Sequence, residues 1–159
     1  MKRVAVFSDT HGRLDRLPAA IGRMGTVDAF IHLGDYARDA ERIARLLSVP
    51  YYAVSGNCDG FYGSDPTFPR ERIVTIERAS LLCVHGDAFP NPYSLSLKAE
   101  EAHCAAALCG HTHIPCLCAS GAILIVNPGS LSLPRGGSSA SFAVLTIDGG
   151  DINVRHYPL

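Results

Sequence analysis

The residues of this chain best suited to chemistry stand in five short groups, each directly after an apolar run. Val4 to Phe7 ends in Ser8-Asp9-Thr10-His11, and Ala29 to Leu33 ends in Gly34-Asp35. Tyr51 to Val54 ends in Ser55-Gly56-Asn57-Cys58-Asp59. Leu81 to Val84 ends in His85-Gly86-Asp87, and Ala106 to Cys109 ends in Gly110-His111-Thr112-His113. Brought together, Asp9, Asp35, Asn57, His11, His85, His111 and His113 make two carboxylates, one amide and four imidazoles. Buried without a counter-charge, such a set costs on the order of several kcal/mol per ion. A pair of divalent cations removes that cost, and seven groups serve two cations if one carboxylate bridges them. Mixed oxygen and imidazole donors suit manganese, iron, nickel or zinc better than calcium or thiolate-bound zinc. Two cations about 4 Å apart form a clamp for in-line displacement at phosphorus by an activated water.

For that convergence the runs must be parallel strands, whose carboxyl ends line the crevice of an α/β sheet. Leu17, Ile21 and Met24 recur at helical spacing after the first run, with Pro18 tolerable in a first turn. Ala40, Ile43, Ala44 and Leu47 mark a second helix with Asp39 as its expected N-cap. This β-α-β-α-β opening implies parallel strands with right-handed crossovers. Asp9, Asp35 and Asn57 are spaced by about one strand plus one crossover helix. Residues 60 to 70 read as a loop, Arg72 to Ile76 and Leu81 to Val84 as strands, and Ser94 to Ala107 as a helix. Beyond Cys109 the pattern is all β, with hairpins expected at Ser120-Gly121 and Gly149-Gly150. One layered domain over residues 1–159 is expected, its two sheets sharing a core with helices outside.

Composition narrows the alternatives. The 159 residues are 47% apolar and 18% charged, enough for a core and too hydrophobic for disorder. Fourteen basic against fifteen acidic side chains exclude a strongly basic nucleic-acid binder. No apolar stretch approaches a membrane span and no export signal opens the chain, so a cytoplasmic protein is expected. Six cysteines (58, 83, 104, 109, 116 and 118) then read as reduced thiols, and Cys116-x-Cys118 as a half-buried strand rather than a zinc site. No Gly-x-Gly-x-x-Gly follows the first strand, and no cysteine has an arginine six positions later, against a dinucleotide fold and a cysteine phosphatase. Any single member of the set has an ordinary reading as a turn, cap or surface residue. His32, His103 and His156 are given no site role.

As a set, Asp9-x-His11, Gly34-Asp35, Gly56-Asn57-x-Asp59, His85-Gly86 and Gly110-His111-x-His113 resemble the calcineurin-like metallophosphoesterases. The Gly-Asn-Cys-Asp form is similar to the small YfcE-type phosphodiesterases, as are Asn127-Pro128-Gly129-Ser130 and Pro134-Arg135. The resemblance runs from residue 4 to about 135. It implies a four-layer α-β-β-α sandwich, with two mixed sheets and flanking helices. It also implies a dinuclear site, most simply of manganese, with a hydroxide between the cations attacking phosphorus. Asp9, His11 and His113 would hold the first cation, Asn57, His85 and His111 the second, and Asp35 would bridge. Asp35, Asn57 and His111 would act through metal and phosphate positioning.

The implied substrate is a small phosphoester or nucleotide-like diester, a diester before a monoester. A homodimer is open, since members of this size can form dimers. Arg135 is either a phosphate contact or a surface residue. Asp59 and Asp87 either orient histidines from behind or cap turns. Many members carry His where this chain has Cys58, and a thiol beside two cations tends toward thiolate, which cannot donate a proton. Good leaving groups are therefore expected to be favoured. The competing reading is a scaffold for protein interaction, like the retromer subunit of this fold, but all seven ligand positions here carry competent residues.

Overall fold

The computed structural model describes residues 1–60 and 67–159; part of the loop expected at 60 to 70 lies outside the described residues. Strand β1 (Lys2–Phe7) shows how one apolar run serves two layers. Alternate side chains of a strand point to opposite faces. Val4 and Val6 therefore enter the core between the sheets, while Ala5 and Phe7 pack under helices. The chain continues through α1 (Leu17–Met24), β2 (Ala29–His32), α2 (Asp39–Leu47) and β3 (Tyr51–Ala53). Then come β4 (Glu71–Ile76), β5 (Ala79–Val84), α3 (Pro92–Glu101) and β6 (Ala106–Leu108). It ends with β7 (Cys116–Ser120), β8 (Ile123–Asn127), β9 (Ser141–Asp148) and β10 (Asp151–Pro158).

Two mixed five-stranded sheets result, ordered β10-β9-β1-β2-β3 and β4-β5-β6-β8-β7. Within them β1, β2 and β3 run parallel, as do β5, β6 and β8, so both sets of carboxyl ends can face one crevice. Helices α1 and α2 cover the outer face of the first sheet through Leu17, Ala20, Met24, Ala40 and Ile43. Helix α3 covers the second through Leu95 and Ala99. This is the expected α-β-β-α layering. No helix among the described residues is long and apolar enough to cross a membrane.

Three local expectations are corrected. The third helix ends at Glu101 rather than Ala107, because His103 turns left-handed and Ala106–Leu108 is needed as a buried strand between β5 and β8. Sheet pairing there overrides the helix preference of alanine. Its N-terminus is Asn91, whose side chain accepts from Ser94 N at 2.9 Å, with Pro92 following. Asp39 is not the N-cap of α2. That place belongs to Arg38, and the Asp39 carboxylate instead accepts from Thr10 Oγ1 at 2.6 Å and Gly12 N at 3.2 Å. It ties α2 to the loop after β1.

Leu145 sits fully buried in the inter-sheet core, between Val4 on β1 and Val154 on β10. Leu145→Ala removes buried volume that two sheets cannot both collapse to fill. It should cost about 2–5 kcal/mol with an unchanged denaturant slope, measured by urea unfolding.

Candidate metal centre

The loops after the strands are built from unusual backbone. Asp9, His11, Asp35, His111 and His113 all adopt left-handed φ, between 48° and 65°. Such conformations cost a residue with a side chain about 1–2 kcal/mol each, and they cluster where function demands them. Backbone bonds between the loops hold them. Asp9 N donates to Gly34 O at 3.1 Å and Gly110 N to His85 O at 2.7 Å. Glycine is required at two close approaches. A Cβ on Gly56 would lie 2.2 Å from Asp35 Oδ1, and one on Gly110 1.9 Å from Ser8 Oγ.

All seven residues singled out in the sequence meet in one cluster. One donor atom from each of Asp9, His11, Asp35 and His113 lies within 4.8 Å of the others. His113 Nε2 is 3.1 Å from Asp9 Oδ1, and His11 Nε2 is 3.5 Å from Asp35 Oδ2. The other Asp35 oxygen, Oδ1, lies 3.4 Å from His85 Nε2. Asn57 Oδ1 stands 3.1 Å from both His85 Nε2 and His111 Nδ1. The Asp35 carboxylate thus faces His11 with one oxygen and His85 with the other. His85 and His113 each donate Nδ1–H to a carbonyl, of Leu33 at 2.7 Å and Leu133 at 2.6 Å. That fixes the tautomer and leaves both Nε2 atoms as free donors of a lone pair.

The electrostatics favour a cationic guest. Asp9 is fully buried, and its Oδ1 has no hydrogen-bond partner among the described residues. The ion pairs described for Asp9 and Asp35 are all with histidines. Burial pushes the Asp9 carboxyl up, but the adjacent His113 and His85 imidazoles outweigh it, leaving it below the usual range. The neighbouring Asp9 carboxylate raises His113, whereas burial lowers His11. An orphaned carboxylate oxygen amid imidazole and amide donors fits divalent cations of the manganese-to-zinc series.

The neighbouring residues take up the alternatives left open in the sequence. The Asp59 carboxylate accepts from Tyr36 N, Ala37 N and Gly56 N and so clamps the loops after β2 and β3. Asp87 pairs with Arg70. Arg135 is exposed, and its backbone N donates to His113 O. Cys58 N donates to Asp35 Oδ1 at 2.9 Å. Burial first, and then Asp35, push the Cys58 thiol up to about 11; bound cations act with the opposite sign. All six cysteines are free thiols. His103 stays in the turn before β6, its N donating to Glu100 O at 3.0 Å.

Two supports were missed in the sequence. His32, given no site role in the sequence, is fully buried and bonds Thr10 Oγ1 at 3.1 Å, while its Nδ1 accepts from Gly34 N at 3.2 Å. Its strand-end place beside Gly34-Asp35 was the available signal. Asn127 donates to Gly110 O and Thr112 Oγ1, and His156 Nε2 donates to Asn127 O at 2.7 Å. Ser130 and Ser132 both donate to Asp9 O. The Asn-Pro-Gly-Ser stretch is therefore a brace for the Asp9 and His111 loops.

In sequence and in fold the chain is similar to known proteins. Residues 1–150 match the calcineurin-like phosphoesterase superfamily domain. The chain is 33% identical to the probable metallophosphoesterase YsnB of Bacillus subtilis (strain 168), over 97% of this chain and 89% of YsnB. It is 28% identical to the phosphodiesterase YfcE of Escherichia coli (strain K12), over 93% and 89%. A conserved Streptococcus pneumoniae TIGR4 protein, a predicted phosphoesterase, superposes with a TM-score of 0.78 at 30% identity, over 99% of this chain and 89% of that one. Zinc-complexed Vps29 from Entamoeba histolytica shares the fold, with a TM-score of 0.76 at 18% identity over 98% of each chain.

His32 generates a pH prediction. Its Nδ1 already accepts the Gly34 amide, so a second proton has no place, and burial drives its pKa down to about 4. A lowered folded value means stability that is complete above about 6.5, the unfolded value, and is lost as the pH falls toward the folded one. In chelator, urea unfolding should show a loss of about 2–3 kcal/mol from this group between about pH 7 and about pH 4.5. His32→Gln should flatten that slope while leaving the smaller share from His11.

Proposed function

Because this chain belongs to the calcineurin-like phosphoesterase superfamily, we propose that it is a divalent-metal-dependent phosphodiesterase with a dinuclear centre. The observation that carries the reading is the Asp35 carboxylate, with one oxygen toward His11 and the other toward His85. In this reading Asp9, His11 and His113 would hold one cation and Asn57, His85 and His111 the other, with Asp35 available to both. Manganese is the proposed metal, with iron, nickel or zinc able to use the same donors. When bound, two such cations supply Lewis acidity toward the phosphoryl oxygens and an activated water.

The chain's own residues do the rest. Leu33 O and Leu133 O lock His85 and His113 so that Nε2 faces the centre. The Cys58 amide fixes Asp35 Oδ1 and with it the register of Asn57. Asn57 is exposed at the mouth and His111 half-buried, so both stand where a phosphate would enter. Arg135 is exposed on the segment beside His113 and is proposed as a secondary phosphate contact. The histidine that many relatives place after Gly-Asn is replaced by Cys58, so the residue after Asn57 offers no imidazole to protonate a departing oxygen. That favours substrates whose leaving groups depart as stable anions, activated diesters above alkyl phosphates. The scaffold reading shares the fold with Vps29, but the complete donor set favours the enzyme.

Two measurements test this. Purified protein should hydrolyse bis-p-nitrophenyl phosphate with added Mn²⁺ and lose that activity in chelator, and Asp35→Asn should lower kcat/KM by about 100-fold or more. Turnover indifferent to both would overturn the proposal. Cys58→His should raise turnover of alkyl leaving groups by about tenfold or more while changing p-nitrophenyl esters little. An equal change on both would show that no general acid was missing.

A further inference from the structure

Tyr36 directly follows Asp35 in the chain, and its ring lies against His11 with centroids 5.9 Å apart and planes tilted by 57°. The His11 ring in turn stands 5.2 Å from that of His113, so Tyr36 borders the candidate donors of the first cation. Among the described residues no other Phe or Tyr ring touches a histidine of the cluster. Tyr36 is nevertheless 42% exposed, against 17% for the His11 side chain. Its φ is 72°, a left-handed backbone that a bulky residue rarely adopts. Tyr36 N donates to Asp59 Oδ1 at 2.9 Å and Tyr36 O accepts from Asp39 N at 2.9 Å, so the conformation is enforced from both sides. The ring lies close over Gly12, where a Cβ would come within 3.3 Å of Cδ1 and Cε1. Enforced backbone strain of this kind concentrates at ligand clamps and active sites. We propose that Tyr36 determines specificity, as a fixed platform on which a planar aromatic ring in one ester arm of the substrate stacks. The inference rests on the phosphodiesterase reading above and deepens it.

The class of arm follows from what the ring offers. A tyrosine supplies a large contact area at a small cost in side-chain entropy, and here Gly12 and His11 already restrain it. An aromatic pair gains more than its buried area alone accounts for. Such stacking reads no pattern of donors and acceptors, so an aryl group and a nucleobase share the chemistry. One imidazole, His11, joins the platform to the donor set, so an arm one ring beyond the phosphate reaches it. The other end of the cluster has no equivalent. Asn57 and Cys58 bring an amide and a thiol there, and Asp87, two residues after His85, pairs with Arg70. A ring that served only to hold His11 would act on every substrate alike. A platform acts on the arm, so its loss changes discrimination between arms and spares the phosphate.

The test uses non-hydrolysable phosphonates as inhibitors of Mn²⁺-dependent bis-p-nitrophenyl phosphate hydrolysis. Phenylphosphonate should inhibit at least about tenfold more tightly than methylphosphonate, and at least about threefold more tightly than cyclohexylphosphonate, which has similar bulk and no π face. A nucleoside phosphonate distinguishes the two sources of the ring: tighter inhibition than phenylphosphonate assigns the platform a nucleobase, weaker inhibition an aryl group. Tyr36→Asn removes the ring with a residue that tolerates left-handed φ, and should bring the phenyl-to-methyl ratio toward one, whereas Tyr36→Phe should preserve it. If Tyr36→Asn does not fold, Tyr36→Gly accepts this φ freely and serves the same comparison. As a readout apart from turnover, phenylphosphonate protons should show nuclear Overhauser effects to the Tyr36 ring in the Zn²⁺-loaded protein. Equal inhibition by phenyl- and methylphosphonate would overturn the platform. Equal weakening of both by Tyr36→Asn would overturn it as well, making the ring a support for His11, and either result would leave the phosphodiesterase reading standing. Absence of hydrolysis with any divalent metal would remove both.

Discussion

Two carboxylates placed out of water, with histidines as their only described ion-pair partners, set the terms for the rest of this molecule. Asp9 is fully buried and Asp35 nearly so. The stability of any fold depends on small differences between large quantities, so two ions in this state are a serious liability. The structure tolerates them by surrounding each with imidazoles and amide N–H groups and by leaving Asp9 Oδ1 without a hydrogen bond. The arrangement makes chemical sense as a receptor for positive charge, and the loop geometry around it serves that end.

Holding those carboxylates requires strained backbone, and the strain has identifiable supports. The Asp9 loop is gripped from three directions. Gly34 O takes its amide, the Ser130 and Ser132 hydroxyls take its carbonyl, and His111 N donates to its carboxylate. Behind it runs a chain of single hydrogen bonds from Gly34 N to His32, from His32 to Thr10 and from Thr10 to Asp39. That chain works only with neutral His32, its Nδ1 accepting and its Nε2 donating. The Asp59 carboxylate does for the loops after β2 and β3 what the two serines do for the first loop. Such polar bonds inside a low-dielectric interior resist distortion strongly, which is what fixed placement of ligand atoms needs.

The donors were legible in the sequence because chain order and space coincide here. Parallel strands put their ends on one edge, so a polar residue after each apolar run reports its own position. The β-α-β-α-β opening and both late hairpins were legible for the same local reasons. What stayed hidden was non-local. The end of α3 depends on β6 finding a slot between β5 and β8, and no spacing within residues 94 to 107 carries that information. Asp39 has the composition of a cap, yet its carboxylate is taken by a loop twenty-seven residues earlier in the chain. His32 is a core residue and shows no ligand spacing. Its role lies in which two loops it joins, and that depends on the packing of β1 against β2.

The division of ligands between the sheets has its own consequence. The first sheet supplies both carboxylates, Asn57 and His11, and the second supplies His85, His111 and His113. Each half alone gathers donors of one main kind, and the Asp9–His113 and Asp35–His85 pairs cross the gap between the sheets. A guest that binds groups from both halves must therefore favour the state in which the inter-sheet core is closed. By linkage, whatever closes that core improves the site by the same free energy. The apolar layer of Val4, Val6, Leu81, Leu108 and Leu145 is in this sense part of the candidate metal centre. It sets the separation at which acidic and imidazole donors meet, and separating the sheets would leave two incomplete half-sites.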